Sequence, residues 1–421
     1  MIKDSEFTGA SRRTAQISLG LLVLVNVMSQ LDRQIMSVLV ESIRIDLDLT
    51  DTQIGVVVGV AFAVFYTLAG LPLGRLADRA NRRTVIVSVL SFWSLATAAC
   101  GLAQGYWQLF AARVGVGIGE AGCAPAAQSI LSETFPRERI GRALSTYQMA
   151  IPIGILFGLA GGGYLADHYH WRTVFMMVGL PGLLVAVIVR VFLKEPPRSD
   201  SEELEPVASV LSTIFAMPTI RQHMLACSIQ TMTLAATATF NFAFMVRVHG
   251  LSNTEAGIII GLITGIAGGF GTYMGGYLGD RFAPKDPRWR IGWLAIGAVL
   301  SVPFTISAYL TSSLPLTIVG LTLGVVGSYM YAGAGHAVAQ SLVGPRMRAM
   351  TAASMLFAMN LFGYGAGPVV AGWISDAFGG DEALRYSLAV MNMLLLWAAV
   401  HYWLASRTYR EDLARVQALG L

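Results

Sequence analysis

Charge is what this chain has least of. Only 13% of its 421 residues are Asp, Glu, Lys or Arg, and mean hydropathy is +0.61. A water-soluble fold is excluded by that balance, because soluble domains carry roughly 25% charged residues. Cysteine is nearly as rare: Cys100, Cys123 and Cys227 all lie inside apolar runs, so they form no disulfide framework and read as small packing residues. No HExxH, GxSxG or His/Asp cluster occurs, and the few polar groups form no nucleophile and base pair by spacing. That argues against a membrane enzyme acting on lipids, and no metal or cofactor is expected. No ten-residue alternation of polar and apolar positions appears, which argues against a β-barrel. The net charge of +4 comes from loop arginines and implies no nucleic-acid partner.

What the chain has is apolar length. Stretches free of Asp, Glu, Lys and Arg run over 52–74, 143–166, 222–246, 256–279 and 349–375, each near the ~20 residues that cross a bilayer as a helix. The stretch 291–345 has room for two crossings and a turn near Thr311 to Pro315. Together the runs predict an all-α membrane protein of twelve transmembrane helices at 15–41, 52–74, 84–103, 107–131, 141–165, 172–193, 222–247, 255–279, 290–310, 314–341, 348–376 and 384–406. The arginines and lysines set the orientation. The termini and the loops on their side hold 23 of them, and the opposite loops hold four, Arg44, Arg172, Arg247 and Arg385. By the positive-inside rule both termini are cytoplasmic. The first sixteen residues are polar with no small-residue cleavage site after a short apolar core, so span 1 is expected to act as an uncleaved anchor. No lipidation box is present.

The two halves echo one another. GRLADRANRR (74–83) follows the second helix and GGYLGDRFAPK (275–285) the eighth, with Asp78 and Asp280 202 residues apart. Arg142-Ala-Leu-Ser and Arg348-Ala-Met-Thr open the fifth and eleventh. Between the halves lies the polar, Pro-containing KEPPRSDSEELEPVASV (194–210), whose Glu-rich part could open a short surface helix. The expected organisation is an N-terminal six-helix bundle (1–193), a cytoplasmic linker (194–221) and a C-terminal six-helix bundle (222–421). Parallel six-helix repeats place a substrate site between the halves near the midplane.

Four ionisable residues stand at bilayer depth, where charges are costly and mark ion or substrate routes. Asp32 and Arg33 are adjacent, so their side chains point ~100° apart on a helix and each looks elsewhere for a partner. Arg113 and Glu120, seven apart, share one helix face ~10.5 Å along the axis. Depth puts Asp32 between them, and an alternating cluster would give each ion an opposite one. Gly115, Gly117 and Gly119 leave room for a helix to approach that face. Asp32 and Glu120 are thus the candidate proton-coupling groups, and Arg33 and Arg113 the candidate headgroup or ion-pair residues. The competing reading is a purely architectural ion network.

GRLADRANRR resembles the cytoplasmic loop motif of the major facilitator superfamily. Two further segments, LDRQIMSVLVESIRIDLDLTDTQIG (31–55) and RVGVGIGEAGCAPAAQSILSETFPRERIGRALS (113–145), resemble its spinster-like branch, whose members move lysophospholipids or sphingosine-1-phosphate. The resemblance implies the major facilitator fold, alternating access and a cytoplasmic gate of Asp78, Arg79, Arg82, Arg83 and Glu133. In that gate Asp78 meets the start of the eleventh helix and the arginines meet Glu133 or Glu138. The second loop copy departs from the motif, with Phe282, Ala283 and Pro284 where a Gly-Arg-Arg run belongs. The C-terminal half has no deep acid or arginine. Its cavity candidates are Phe240, Asn241, Phe244, Tyr329, His336, Phe357 and Asn360, with helix packing as the alternative for the aromatics. These features lead to an expected proton-coupled transporter of lysophospholipids or related amphiphiles, monomeric, in a bacterial inner membrane. The rivals are a multidrug/proton antiporter or organic-anion transporter of the same fold, and more remotely a lipid enzyme or a channel.

Overall fold

An apolar run in lipid has to satisfy its backbone internally, and a helix does so within one segment. The computed structural model, which describes residues 9–197, 207–344, 347–380 and 382–418, is helical in every regular element among the described residues. Span 1 is Gly9–Asp46, span 3 Arg82–Cys100, span 6 Trp171–Phe192, span 7 Pro218–His249, span 9 Trp289–Leu310 and span 12 Ala383–Ala418. The others are built from consecutive pieces. Span 2 runs through Asp51–Gly55, a π-helical Val56–Val64 and Phe65–Arg79. Span 4 joins Tyr106–Ala121 to Cys123–Thr134 at Gly122. Span 5 joins Arg137–Gln148 to Ala150–His168, span 8 covers 253–282, span 10 covers 314–340 and span 11 covers 348–378.

Eleven of these helices are long and apolar enough to cross a membrane by length and composition alone. Span 4 is the twelfth. It misses that test for a physical reason: it carries both Arg113 and Glu120 and is interrupted at Gly122, three residues before Pro125, whose missing N–H cannot bond Ala121. The Val207–Ala216 helix follows the linker. The Glu-rich linker residues lie outside the described residues.

The chain divides into two compact units. Unit 1 is Met1–Leu49, Val56–Ser201 and Leu251–Gly261; unit 2 is Thr50–Gly55, Glu202–Gly250 and Leu262–Leu421. The main division falls between 201 and 202, and the first residues of span 2 group with unit 2 and those of span 8 with unit 1. In unit 1 a core of Leu22, Val25, Ile86, Leu90, Trp93, Ile130 and Val189 joins spans 1, 3, 4 and 6. Gly154, Gly158 and Gly162 of span 5 sit so close to Gln30, Gln34 and Ile35 of span 1 that a Cβ at any of them would clash. In unit 2, Ile220, Ala226, Met355, Met359, Tyr402 and Tyr409 belong to a core joining spans 7, 11 and 12.

The two exchanged helix starts are built alike. Thr50 and Gln53 bond reciprocally as a capping box, and Ser252 and Glu255 do the same 202 residues later. In unit 2 the Asp376 carboxylate accepts the N–H groups of Asp51 and Thr52, each at 2.9 Å. In unit 1 Asp167 accepts those of Asn253 and Thr254 at 3.0 and 2.8 Å. A carboxylate on the exposed donors of a helix N-terminus is favourable both as a cap and toward the helix dipole.

Candidate functional site

Span 1 turns a polar stripe toward span 4. Ser29 Oγ donates to Glu120 Oε2 at 2.9 Å, and one turn on Arg33 Nε donates to the same oxygen at 2.7 Å. One third of the Arg33 side chain stays accessible, whereas the Glu120 side chain is fully enclosed. Above the arginine lies an aromatic platform that the sequence reading missed. The Arg33 guanidinium stands 4.9 Å from the Phe62 ring centre and 5.0 Å from that of Tyr66, two rings stacked 5.6 Å apart on span 2. Arg113 approaches the same Phe62 ring at 5.3 Å. Phe62 therefore holds two like charges side by side through its π face, an attraction worth about 0.5–2 kcal/mol per contact.

Two glycines on span 4 make this geometry possible. A Cβ on Gly117 would lie 2.6 Å from the Phe62 carbonyl oxygen, and one on Gly119 would lie 2.6 Å from Trp93 Cβ. Spans 2 and 3 thus close on span 4 at backbone distance, as the Gly115, Gly117 and Gly119 spacing led us to expect of a neighbouring helix.

The expected quartet forms only in part. Glu120 pairs with Arg33, but among the described residues Asp32 and Arg113 make no ion pair, and Asp32 Oδ1 and Arg113 Nε and Nη1 are buried with no hydrogen-bond partner. The reason is the ~100° angle between adjacent helical side chains. Arg33 faces spans 2 and 4, so Asp32 faces span 3, where Trp93 and Thr97 flank its carboxylate and Arg113 acts on it only through longer-range attraction. All the groups of this site, on spans 1 to 4, belong to unit 1.

Of the expected gate residues, Arg82 is the one that is built in. Its buried guanidinium meets Glu133 at 2.8 Å, Glu195 at 2.8 Å, Ser129 Oγ at 3.0 Å and the Pro196 carbonyl at 2.9 Å. Glu195, absent from the sequence reading, also accepts the backbone N–H groups of Arg82 and Arg83 at the start of span 3. Burial works to raise the Glu195 carboxyl pKa, but the Arg82 side chain and the N–H groups of Arg83 and Arg82 outweigh it and hold it below the ordinary glutamate value. Arg83 reaches the Leu193 carbonyl and Arg79 is exposed. The side chains of Asp78 and Glu138 lie outside the described residues.

The cavity candidates separate into two groups. Phe240 and Phe244 have no accessible surface, and Phe244 packs edge-on against Tyr309, whose hydroxyl donates to Asn241 at 2.9 Å. These three are core rather than cavity wall, because span 7 is enclosed along most of its length by its neighbours in unit 2. Tyr329, His336 and Asn360 are half-buried and Phe357 is exposed. A second buried ion cluster in unit 2 also escaped the sequence reading. Arg247 donates to both oxygens of Asp51 at 2.9 and 3.0 Å, and Ser375 Oγ donates to the same carboxylate at 2.7 Å. Arg247 was counted only as a loop charge. The signal available was the repeat of Leu-Thr-Asp-Thr at 49–52 as Leu-Ser-Asn-Thr at 251–254.

Comparison with known proteins shows the family and the fold. Residues 22–353 match the family described as Major Facilitator Superfamily. An MFS-type efflux pump of Mycolicibacterium smegmatis is 33% identical over 95% of both chains. Protein spinster homolog 1 of Xenopus tropicalis is 26% identical, covering 92% of this chain and 78% of that one. Among solved structures, a bacterial homologue of the human lysosomal transporter spinster, in an inward-facing and unoccupied conformation, superposes with a TM-score of 0.87. It is 30% identical and covers 95% of this chain and 98% of its own.

Proposed function

The chain belongs to the major facilitator superfamily, as a spinster-like, multi-pass membrane transporter and not an enzyme, and we propose that its cargo is a lysophospholipid or related anionic amphiphile moved together with protons. What supports this reading is the asymmetry of one pair: the accessible member is the cation Arg33, and the enclosed member is the carboxylate Glu120. An anionic headgroup can approach the guanidinium, which keeps donors free beyond the Nε–H given to Glu120. Once the anion takes Arg33, Glu120 is left as a buried carboxylate without its counter-charge, and a proton neutralises it. Anion and proton then travel as one neutral load. Asp32, enclosed beside Trp93 and Thr97, is a second carboxylate able to hold a proton, with Arg113 as its distant counter-ion. Tyr329, His336, Phe357 and Asn360 are proposed to meet the apolar part of the cargo, and Asp78, Arg79, Arg82, Arg83 and Glu133 to form the cytoplasmic gate. The setting is a bacterial inner membrane and the working unit a monomer.

The similarity to an efflux pump favours one second reading, export of cationic drugs against protons. Thermal unfolding of the purified protein with lysophosphatidylglycerol, sphingosine-1-phosphate and a lipophilic cation separates the two, because a ligand of the folded state stabilises it. Stabilisation by the phosphate-bearing lipids, lost in Arg33→Ala, is the expected result. Stabilisation by the cation alone would overturn the anionic reading.

A further inference from the structure

Spans 9 and 12 pack together in unit 2, and their outer surface carries a groove of about 570 Å³. Ala295, Ile296 and Val299 form one wall, and Leu396, Val400 and Trp403 the other. Small side chains at 295 and 399 make the floor; the larger ones at 396, 400 and 403 are exposed and make the rim. The stripe on span 12 continues beyond the apolar part. Leu396, Val400, Trp403, Arg407 and Arg410 follow one another at alternating steps of four and three, which keeps them on one face of the helix. The Arg407 guanidinium carbon stands 4.0 Å from the centre of the Trp403 ring, a cation–π contact at the end of the stripe. Neither Arg407 nor Arg410 has a carboxylate partner among the described residues. Gly292 lies on span 9 one turn before Ala295, and the exposed Arg288 caps the start of that helix. The groove is therefore apolar along its length and cationic at its arginine-rich end, with an indole where the two meet.

We propose that this groove is a binding site for an anionic phospholipid of the surrounding bilayer, with an acyl chain along spans 9 and 12 and the phosphate on Arg407 and Arg410. Charge complementarity selects the occupant. A chain buried between alkyl walls gives no headgroup preference, but unpaired arginines at the membrane surface favour an anionic head by about 1 kcal/mol each. An indole at headgroup depth suits the boundary between chain and phosphate. The groove is built by unit 2 alone and shares no residue with the ionised site of spans 1 to 4 in unit 1, so the proposal does not depend on the cargo proposed above.

The test compares retention of phosphatidylglycerol and phosphatidylcholine with identical acyl chains by the full-length protein, using native mass spectrometry. Phosphatidylglycerol should bind more tightly, and Arg407→Gln and Arg410→Gln should each reduce that preference by about fivefold without changing phosphatidylcholine retention. In bilayers containing phosphatidylglycerol with brominated chains, quenching of indole fluorescence should lose one component in Trp403→Phe. Ala399→Phe, which fills the floor, should remove the same component, and the Trp403 variant keeps this arm informative if that one folds poorly. Equal retention of the two lipids, or a preference unchanged in both arginine variants, would overturn the proposal. So would a concentration-dependent dimer abolished by groove filling, because a second copy of the chain would then be the occupant.

Discussion

Arg33 donates to Glu120 at 2.7 Å, and only the arginine of the pair is open to a ligand. The same guanidinium is held against Phe62 and Tyr66, so three interactions fix one cation at the edge of an otherwise apolar bundle. Charge alone does not reproduce that arrangement. Arg33→Lys keeps the charge but loses the planar group that stacks on two rings while bonding a carboxylate. Stabilisation by phosphate-bearing lysolipids should weaken about tenfold in apparent affinity, given contacts of about 0.5–2 kcal/mol on each ring. Titration of thermal unfolding midpoints with lysophosphatidylglycerol checks it; wild-type affinity in the variant would show that a point charge is enough.

Gly117 sets the distance between spans 2 and 4, and through it the place of the Phe62 ring. Because a Cβ would meet the Phe62 carbonyl at 2.6 Å, Gly117→Ala forces span 2 away and takes the ring from both arginines. The expected cost is about 1–3 kcal/mol of stability from overpacking, together with lost ligand response. Gly74→Ala, where nothing lies within 4 Å, is the control and should leave both unchanged. Unfolding midpoints of the two variants, with and without lysolipid, decide the matter.

The bidentate Arg247–Asp51 pair should behave as a buried ion pair does. Arg247→Ala alone leaves a buried carboxylate without its counter-charge and should destabilise by about 3–5 kcal/mol, whereas removing both charges in Asp51→Asn with Arg247→Met should cost less than that single change. A double-mutant cycle on unfolding free energies measures the difference. Strict additivity would mean the two ions do not act as a pair.

Hydropathy revealed the spans because a lipid-facing helix needs a long apolar run, and it revealed Asp32, Arg33, Arg113 and Glu120 because an ion in such a run is costly and stands out. What surrounds those ions was hidden for the converse reason. Phe62, Tyr66 and Trp93 look like ordinary span residues, and the π-helical register of Val56–Val64 that aims Phe62 leaves no mark in composition. Adjacent Asp32 and Arg33 were correctly expected to seek different partners, yet the assumption that every ion would be paired failed at Asp32 and Arg113. The aromatic content of span 7 suggested a cavity wall, while the complete burial of Phe240 and Phe244 makes them core. Glu195 and Asp51 carry no signal of their own in the sequence, since sequence distance conceals that each meets an arginine far along the chain.

The Glu195 clasp on Arg82 and Arg83 should be pH-sensitive in one direction. A carboxyl held below its ordinary pKa by partners present only in the folded state stabilises that state above the unfolded value of about 4.3 and loses the contribution as pH falls below it. Glu195→Gln should therefore melt below wild type at about pH 7 and converge with it as pH falls through the depressed folded-state pKa. Thermal unfolding of both proteins across that range tests the clasp. A gap that persists undiminished to the acid end would assign it to packing.

The central claim is that Glu120 and Asp32 carry protons with the cargo. It is tested most directly by flux of a labelled lysolipid into liposomes holding wild type, Glu120→Gln or Asp32→Asn, with and without an imposed pH gradient. Each amide keeps size and hydrogen-bonding capacity while removing the titration. The expected result is gradient-driven flux in wild type and a loss of at least about tenfold in each variant, as general for a proton-transfer group removed, with folding and lysolipid binding retained. Wild-type, gradient-dependent flux in both variants would contradict the claim and leave the Arg33–Glu120 pair an architectural one.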